Sequence, residues 1–303
     1  SSKTRNRAER RLATTDAMSA NSHVSMQLQA SASSKLRSRP DISPATRTMQ
    51  STTLLNKPTD LAVQLIQMSP VYKSGTGVGD LQATWNQLKE KITECTASSH
   101  PKLVLWGEAL LPGYPSWLQA RHTKSDLLPA LVAAIWQEAV MIEVENCSED
   151  TDITRADGDI IADIRRVATT LNVTLCGGVL EADHTEGKLY STIVTAMPNG
   201  GFHSRRKHDL FQYECGFFGQ GALMNSPVQL HLSTYRVAFL CGFEVMNTGH
   251  RAHLMKEGFH VLVVMGDIPV TTAEKEDIVL RFLAMECRCI VKGGFGAVKF
   301  CHV

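Results

Sequence analysis

Long hydrophobic runs are absent from this chain. The best candidate, residues 127–136, contains a proline and falls well short of the roughly 18 apolar residues that a membrane-spanning helix needs. A strong net charge is missing too, because 31 basic and 30 acidic residues leave a formal charge of +1 at pH 7. We therefore expect a soluble protein, with neither a membrane nor nucleic acid as a partner of the whole chain.

A disulfide framework is also missing. The eight cysteines are scattered through 303 residues rather than grouped as in small secreted proteins. This distribution favours a reducing compartment, and the cytoplasm is the predicted location. Only Cys287 and Cys289 are close in sequence, and their spacing before an apolar run predicts packing residues rather than half of a zinc site. No metal and no organic cofactor is expected.

Aromatic residues are missing from residues 1–59, which contain ten Lys or Arg against three acidic residues. Such a segment buries too little apolar surface to offset its chain entropy, so we expect disorder. Its Arg- and Ser-rich, acid-poor composition also suits an organelle transit peptide. Two interpretations stay open: a disordered basic extension, or a transit peptide that would direct the protein to mitochondria.

From residue 61 onward, short β-rich runs alternate with longer helical ones. The composition, 43% hydrophobic and 20% charged, is that of a globular protein, and the alternation predicts an α/β layered domain. Predicted strands cover residues 61–68, 102–106, 173–180, 189–196, 236–241, 260–265 and 289–298, and predicted helices cover 79–95, 125–145, 159–171, 249–257 and 271–286. The acidic residues 146–157 are predicted to form a surface loop.

A carboxylate, Glu108, follows the apolar run of residues 103–106 and precedes Pro112-Gly-Tyr-Pro115. This position is typical of a strand end where a turn begins. Burial beside Trp, Leu and Tyr side chains would raise the pKa of the carboxyl toward the range of a general base. Taken alone, however, the residue is better explained as a solvated or capping glutamate.

A basic run, Arg205-Arg-Lys207, follows a glycine-containing turn. Taken alone, it is typical of a solvated surface. Alternation along a strand would turn one or two of these side chains inward, without indicating which. An inward lysine would stabilise an oxyanion or a departing nitrogen.

A thiol, Cys241, ends the apolar run of residues 237–240 and precedes Gly242. This pattern fits a sharp turn that exposes a nucleophile at the edge of a sheet. A free thiol has a pKa near about 8.5 and needs a base or a cation to react quickly, and Glu108 and Lys207 would supply one each. Taken alone, an apolar-flanked cysteine favours an inert core residue.

In their order and spacing, these segments resemble the nitrilase superfamily of carbon–nitrogen hydrolases. Residues 103–117 resemble the segment that bears its catalytic glutamate, and the Gly-Tyr-Pro form is closest to the nitrilase branch. Arg206-Lys207, followed by Glu214, resembles the segment with the catalytic lysine and its supporting glutamate. Cys241 lies 34 residues after Lys207, where the nucleophile is expected.

The resemblance covers about residues 60–298 and implies a hydrolase domain over residues 60–303. The implied fold is a four-layer α-β-β-α sandwich whose helical face forms a homodimer or larger homo-oligomer. The implied reaction converts a small nitrile to a carboxylic acid and ammonia through a cysteine thioimidate and thioester. An amide substrate is the alternative.

The resemblance also implies a role for each site residue. Cys241 would be the nucleophile, Glu108 the base and Lys207 the group that stabilises developing negative charge. Glu214 would orient Lys207 or the incoming water. The expected substrate contacts are Tyr114, Trp117 and Gly242.

Three departures from the family pattern leave a further alternative open. Cys241-Gly-Phe-Glu244 has one residue more than the usual cysteine, aromatic residue and glutamate, so that alignment on Phe243-Glu244 puts Gly242 in the nucleophile's place. The lysine segment lacks its usual proline. The sequence stops at Val303, which predicts a sandwich short of its C-terminal strands. An inactive scaffold or a fragment is therefore the competing hypothesis.

Overall fold

Two β-sheets form the centre of the molecule. The computed structural model describes residues 24–27, 61–74, 77–119, 128–142, 159–222, 230–232, 235–266, 273–287, 290–293 and 299–301. The first sheet has the order β1-β2-β3-β4-β5-β6, with strands Val24–Gln27 (β1), Ala62–Leu65 (β2), Leu103–Leu105 (β3), Thr174–Asp183 (β4), Lys188–Ala196 (β5) and Phe202–Arg206 (β6). The second has the order β11-β10-β9-β8-β7, with strands Leu230–Leu232 (β7), Tyr235–Cys241 (β8), Val261–Met265 (β9), Ile290–Gly293 (β10) and Lys299–Cys301 (β11).

The helices are Leu81–Ser99 (α1), Leu128–Glu138 (α2), Ile160–Leu171 (α3), Thr248–Glu257 (α4) and Ala273–Cys287 (α5). Polar side chains fix where three of them begin. The carboxylates of Asp80 and Asp159 accept hydrogen bonds from the first turns of α1 and α3, and the amide oxygen of Asn247 does the same for α4. Among the helices that the structure describes, none is long and apolar enough to cross a bilayer.

Three apolar clusters stack these elements into four layers. Side chains of α1 and α3 pack on the outer face of the first sheet, as Leu88 and Ile164 do against Val104. Between the sheets, Leu105 and Ile193 of the first lie in one cluster with Phe239 and Val263 of the second. Helices α4 and α5 cover the outer face of the second sheet, where Leu254 and Leu283 meet Leu240 and Val264. The α-β-β-α sandwich expected from the sequence is confirmed.

Strand direction brings several strand ends to one edge of the sandwich. In the first sheet, β2, β3 and β4 run parallel, and β6 runs the same way because it follows two antiparallel pairings from β4 through β5. In the second sheet, β8 and β9 also run parallel. The carboxyl ends of β3 and β6 therefore lie at one edge of the first sheet, and those of β8 and β9 lie at one edge of the second. Ligands of parallel sheets commonly bind at such ends.

Most predicted helices and strands agree with the observed ones to within a few residues. The helix predicted over residues 125–145 is wrong at its end: it stops at Glu138, and Val140 instead forms main-chain hydrogen bonds with β4. Strand β6 was not predicted, because His203, Arg205 and Arg206 give it the polarity of a loop. Residues 24–27 form β1, which pairs with β2, whereas disorder was expected there. Main-chain hydrogen bonds to the edge of the first sheet account for this difference, since they need no apolar side chain. The rest of residues 1–59, the acidic segment 146–157 and Cys289 lie outside the described residues.

Two glycines near the end of β3 offer a test of how this edge is packed. A Cβ added at Gly178 would lie 2.3 Å from the nitrogen of Ala109 and 2.6 Å from the Cα of Glu108, whereas one at Gly107 meets nothing within 4 Å. We expect Gly178→Ala to lower the free energy of unfolding by about 1–3 kcal/mol through overpacking, and Gly107→Ala to change it by less than about 0.5 kcal/mol. Urea unfolding measures both; equal effects would contradict this packing.

Candidate active site

The ammonium of Lys207 lies between two carboxylates at this edge of the sandwich. Its side chain is fully buried, and Nζ lies 2.9 Å from Oε1 of Glu108 and 3.0 Å from Oε1 of Glu214. Lys207 directly follows β6, and Glu108 follows β3 after two intervening residues. The structure thus brings together three of the residues that the sequence singled out.

Further hydrogen bonds hold both carboxylates in place. Oε1 of Glu108 also accepts from the hydroxyl of Ser191, at 3.0 Å. Glu214 accepts from the hydroxyl of Tyr114 at 2.8 Å and from the backbone N–H of Phe211 at 2.7 Å. The ring of Phe211 lies 5.2 Å from the ammonium of Lys207. Side-chain rotation of the three charged groups is therefore strongly restricted.

Burial and charge together shift the pKa values of this cluster. Burial raises the pKa of Glu108 above its usual value, although the charge of Lys207 opposes the rise. Burial alone would lower the pKa of Lys207, but the charges of Glu108 and Glu214 outweigh it and the pKa is raised. Lys207 is therefore a fixed cation at neutral pH, and Glu108 is a stronger base than an exposed carboxylate.

A cavity of about 260 Å³ opens beside this cluster. Its polar walls come from Glu108, Glu214, Tyr114 and Gln67. Most of the remaining wall is apolar or aromatic and includes Leu65, Ile66, Met68, Tyr72, Leu105, Leu110, Phe211, Tyr213, Val263 and Met265. Such a cavity suits a small ligand with an apolar portion and one polar group directed at Glu108.

Cys241 lies next to this cluster but inside the core. It ends β8, its exposed fraction is 0%, and its side chain belongs to the cluster between the sheets together with Phe239 and Val263. Burial raises the pKa of its thiol well above the usual value, and the charge of Glu108 adds to the rise. Cys241 does not contribute to the described cavity walls, although an exposed nucleophile was expected there.

The alternation of β8 explains this burial. Phe239 and Cys241 point between the sheets, while Ala238 and Leu240 point toward helices α4 and α5. Gly242 follows with a positive φ of 33° and begins a short 3₁₀ helix, Gly242–Met246. The turn predicted after Cys241 is confirmed, but the thiol faces the core.

Of the three expected substrate contacts, the structure places only Tyr114 on the cavity. Trp117 packs edge-on against Phe217, with ring centroids 5.3 Å apart, and it is not among the described wall residues. Gly242 is buried and is not among them either. Gly266 does line the cavity, and a Cβ there would lie only 1.8 Å from Oε2 of Glu108. No pattern in the sequence pointed to Gly266.

Each residue of the basic run before the site forms at least one ion pair with a carboxylate. Arg205 pairs with Glu244, and Arg206 pairs with Glu181 on the other side of β6. Lys207 and Arg205 are buried, whereas the side chain of Arg206 is 25% exposed. Alternation predicted one or two inward basic residues, and the two inward ones are Arg205 and Lys207. Glu244 was missed as a partner because it lies 39 residues from Arg205.

Replacing Lys207 by methionine tests the charge balance. Lys207→Met leaves the carboxylates of Glu108 and Glu214 buried without their cation, and we expect it to lower the free energy of unfolding by about 3–5 kcal/mol at neutral pH. The pKa of Glu108, already raised, should rise further, so that the folded state binds protons more readily than the unfolded state. The stability of this variant should therefore increase as the pH falls from about 8 to about 5.

Urea unfolding at several pH values measures this effect. Lys89→Met is the matched control, because the ion pair of Lys89 with Asp163 is partly exposed and should contribute less than about 1 kcal/mol. A Lys207→Met protein as stable as Lys89→Met at neutral pH would contradict the assignment of a buried charged cluster.

Solved structures with the same fold come from several carbon–nitrogen hydrolases. XC1258 from Xanthomonas campestris, a CN-hydrolase superfamily protein, is 15% identical with a TM-score of 0.53, over 76% of this chain and 73% of that one. Nit3 from Saccharomyces cerevisiae, a member of branch 10 of the nitrilase superfamily, gives the same identity, coverage and score. An amidase from Nesterenkonia sp. is 16% identical with a TM-score of 0.52, over 78% of each chain.

No curated protein matches this chain significantly. The sequence model of the carbon–nitrogen hydrolase family, however, matches residues 62–289, well over half of the chain. This span contains the buried cluster of Glu108, Lys207 and Glu214 as well as Cys241. The chain therefore belongs to the carbon–nitrogen hydrolase family, within the nitrilase superfamily.

Proposed function

We propose that this chain hydrolyses a small nitrile, or the corresponding amide, to a carboxylic acid and ammonia. The observation that carries the proposal is the fully buried ammonium of Lys207, held between Glu108 and Glu214, the two carboxylates that line the cavity. A fixed cation beside a carboxylate of raised pKa supplies what the hydrolysis of a carbon–nitrogen bond needs: a base for proton transfer and a positive charge for the developing anion.

The proposed reaction begins with proton transfer from the thiol of Cys241 to Glu108. The thiolate attacks the nitrile carbon while Lys207 stabilises the developing negative nitrogen, and Glu108 returns the proton to that nitrogen to give a thioimidate. Addition of water and loss of ammonia give a thioester. Glu108 then activates a second water molecule, which releases the acid and restores the thiol. An amide enters the same sequence by losing ammonia directly from its tetrahedral adduct.

Two observations support Cys241 as the nucleophile. Its backbone N–H and that of His208, the residue after Lys207, donate to the same carboxylate of Glu244, so the segments that bear the thiol and the ammonium lie side by side. A Glu-to-Gln mutant of a structurally similar amidase from Nesterenkonia sp. shows the result of Michael addition of acrylamide at its active-site cysteine. Because burial keeps the thiol of Cys241 protonated at rest, the base has to act at the moment of attack.

The same burial favours a second candidate function, ligand binding without turnover. The thiol faces the core between the sheets, and the position next to it, Gly242, has no side chain. In the parallel register of β8 and β9, Cys241 pairs with Met265. The next residues, Gly242 and Gly266, directly follow these two paired residues, and Gly266 is in close contact with the carboxylate of Glu108. If the reacting atom belongs at position 242, the cavity binds a nitrile, amide or acid and does not cleave it.

Ammonia release by the purified protein from a panel of aliphatic and aromatic nitriles and amides tests the proposal. We expect Glu108→Gln to lower kcat by about 100- to 10,000-fold, because general base catalysis is lost, and Cys241→Ala to abolish turnover. Both variants should still unfold cooperatively, so that lost turnover is distinguished from lost folding; Glu108→Gln removes one ion-pair partner of Lys207 and should also lower the unfolding midpoint. An undiminished rate in Cys241→Ala would remove this residue from the mechanism.

A Gly242→Cys variant separates the two candidates. If Cys241 is the nucleophile, the wild type releases ammonia and Gly242→Cys adds nothing. If the chain only binds, the wild type releases none, its thermal stability rises with ligand, and Gly242→Cys gains ammonia release. The preferred substrates of whichever protein is active distinguish nitrile from amide hydrolysis.

We also propose a homodimer or larger homo-oligomer that forms through the outer helices. The support is an exposed apolar face on α5, where Ile278, Phe282 and Met285 are 65%, 54% and 66% exposed. These residues lie on one side of the helix, and Met255 of the neighbouring α4 is also exposed. Phe282→Glu should shift the molar mass measured by light scattering toward that of a monomer, while a wild-type monomer would contradict the proposal.

A further inference from the structure

One buried ion pair joins the two sheets beside the candidate active site. The carboxylate of Glu244 accepts hydrogen bonds from both terminal nitrogens of Arg205, each at 2.7 Å. Arg205 belongs to β6 in the first sheet, and Glu244 lies just beyond β8 of the second. The guanidinium also donates to the carbonyl of Phe239, at 3.2 Å. The exposed fraction is 8% for the side chain of Arg205 and 0% for that of Glu244.

The same carboxylate binds the main chain next to two proposed catalytic groups. Its Oε2 accepts from the backbone N–H of Cys241 at 2.7 Å, and its Oε1 accepts from the N–H of His208, the residue after Lys207, at 2.8 Å. Among the described residues, the ladder between β8 and β7 covers residues 235–237 of β8, and Cys241 lies beyond it. Glu244 therefore provides the acceptor for this buried N–H, which is costly to leave unpaired.

Charge keeps this carboxylate ionised. Burial alone would raise the pKa of Glu244, but the charge and hydrogen bonds of Arg205 outweigh it and lower the pKa. At neutral pH the carboxylate therefore binds the guanidinium and both backbone N–H groups at once. The carboxylate of Glu244 thus hydrogen-bonds both the segment that contains the Cys241 thiol and the segment that contains the Lys207 ammonium.

We propose that Glu244 is a positioning residue that fixes Cys241 relative to Lys207 through these two backbone contacts. This inference rests on the proposed function, in which Cys241 and Lys207 act on the same substrate. Glu244 contacts neither the cavity nor a reacting atom, so its effect on the reaction is indirect. A misplacement of about 1 Å between reacting groups lowers rates by about 100-fold, which sets the scale of the expected effect.

Glu244→Gln tests the proposal, with Glu181→Gln as the matched control. The two glutamates are both buried and pair with adjacent arginines, but no hydrogen bond joins the side chain of Glu181 to the main chain of Cys241 or His208 in the described structure. We expect Glu244→Gln to lower kcat by about 10- to 100-fold with KM changed less than about twofold, since the cavity wall is intact. Glu181→Gln should leave kcat within about twofold of the wild type.

A second measurement does not depend on turnover. The charged groups that act on the thiol of Cys241 are Glu108, Glu244, Arg205 and Lys207. Removing the charge of Glu244 leaves Arg205 unopposed, so alkylation of Cys241 by iodoacetamide, followed by peptide mass spectrometry, should begin at lower pH in Glu244→Gln. Faster alkylation with slower turnover is the signature of lost positioning. Faster alkylation with turnover equal to the wild type would overturn the proposal.

Glu244→Asp keeps the test decisive if Glu244→Gln does not fold. Aspartate preserves the charge opposite Arg205 but is one methylene shorter, so it does not reach both backbone N–H groups. We expect the same loss of kcat with the alkylation profile of the wild type. If the wild type releases no ammonia, the proposed function fails separately; iodoacetamide alkylation of Glu244→Gln then tests the contact of Glu244 with the Cys241 segment, and a profile equal to that of Glu181→Gln overturns the proposal.

Discussion

The pairing of the buried Lys207 ammonium with the carboxylates of Glu108 and Glu214 is the interaction on which the rest of the site depends. An isolated charge in the interior costs many kilocalories per mole, and here two carboxylates and their hydrogen-bond partners offset that cost. Because Glu108 lies 99 residues from Lys207 and Glu214 lies 7 residues from it, the cluster forms only when β3 and β6 occupy the same sheet. The charged cluster therefore assembles only when the first sheet has formed.

A second ion pair, between Arg205 and Glu244, extends this dependence to the other sheet. Arg205 lies in β6 and Lys207 directly follows this strand, two residues after Arg205, so the alternation that turns one side chain inward also turns the other inward. Arg205 forms its ion pair with Glu244 across the gap between the sheets, whereas Lys207 forms its ion pairs within the active-site cluster. The polar residues at this edge therefore hold the sandwich together at the point where the cavity opens.

The fold was largely predictable from the sequence, but the contacts within the site were not. Continuous apolar runs and alternation located β4, β5, β8 and β9, because buried strands leave a local record in hydrophobicity. Strand β6 leaves none, since its basic side chains are satisfied by carboxylates of distant segments. The proximity of Glu108 and Lys207 followed from the family resemblance alone. The partner of Arg205 followed from neither.

The direction of the Cys241 side chain decides how this edge can work. Along β8, a change of one residue exchanges the core face for the opposite face, so the extra residue before Glu244 has a large geometric effect. Glu244 fixes the turn through the N–H of Cys241, which leaves the thiol facing the core and Gly242 at the strand end. Hydrolysis through Cys241 therefore requires its side chain to rotate out of the apolar packing when substrate binds, while Glu244 holds its main chain in place. Without that movement, the cluster of Glu108, Lys207 and Glu214 binds a ligand that the thiol never attacks. The conformation of the turn at Gly242 therefore decides between hydrolysis and binding alone.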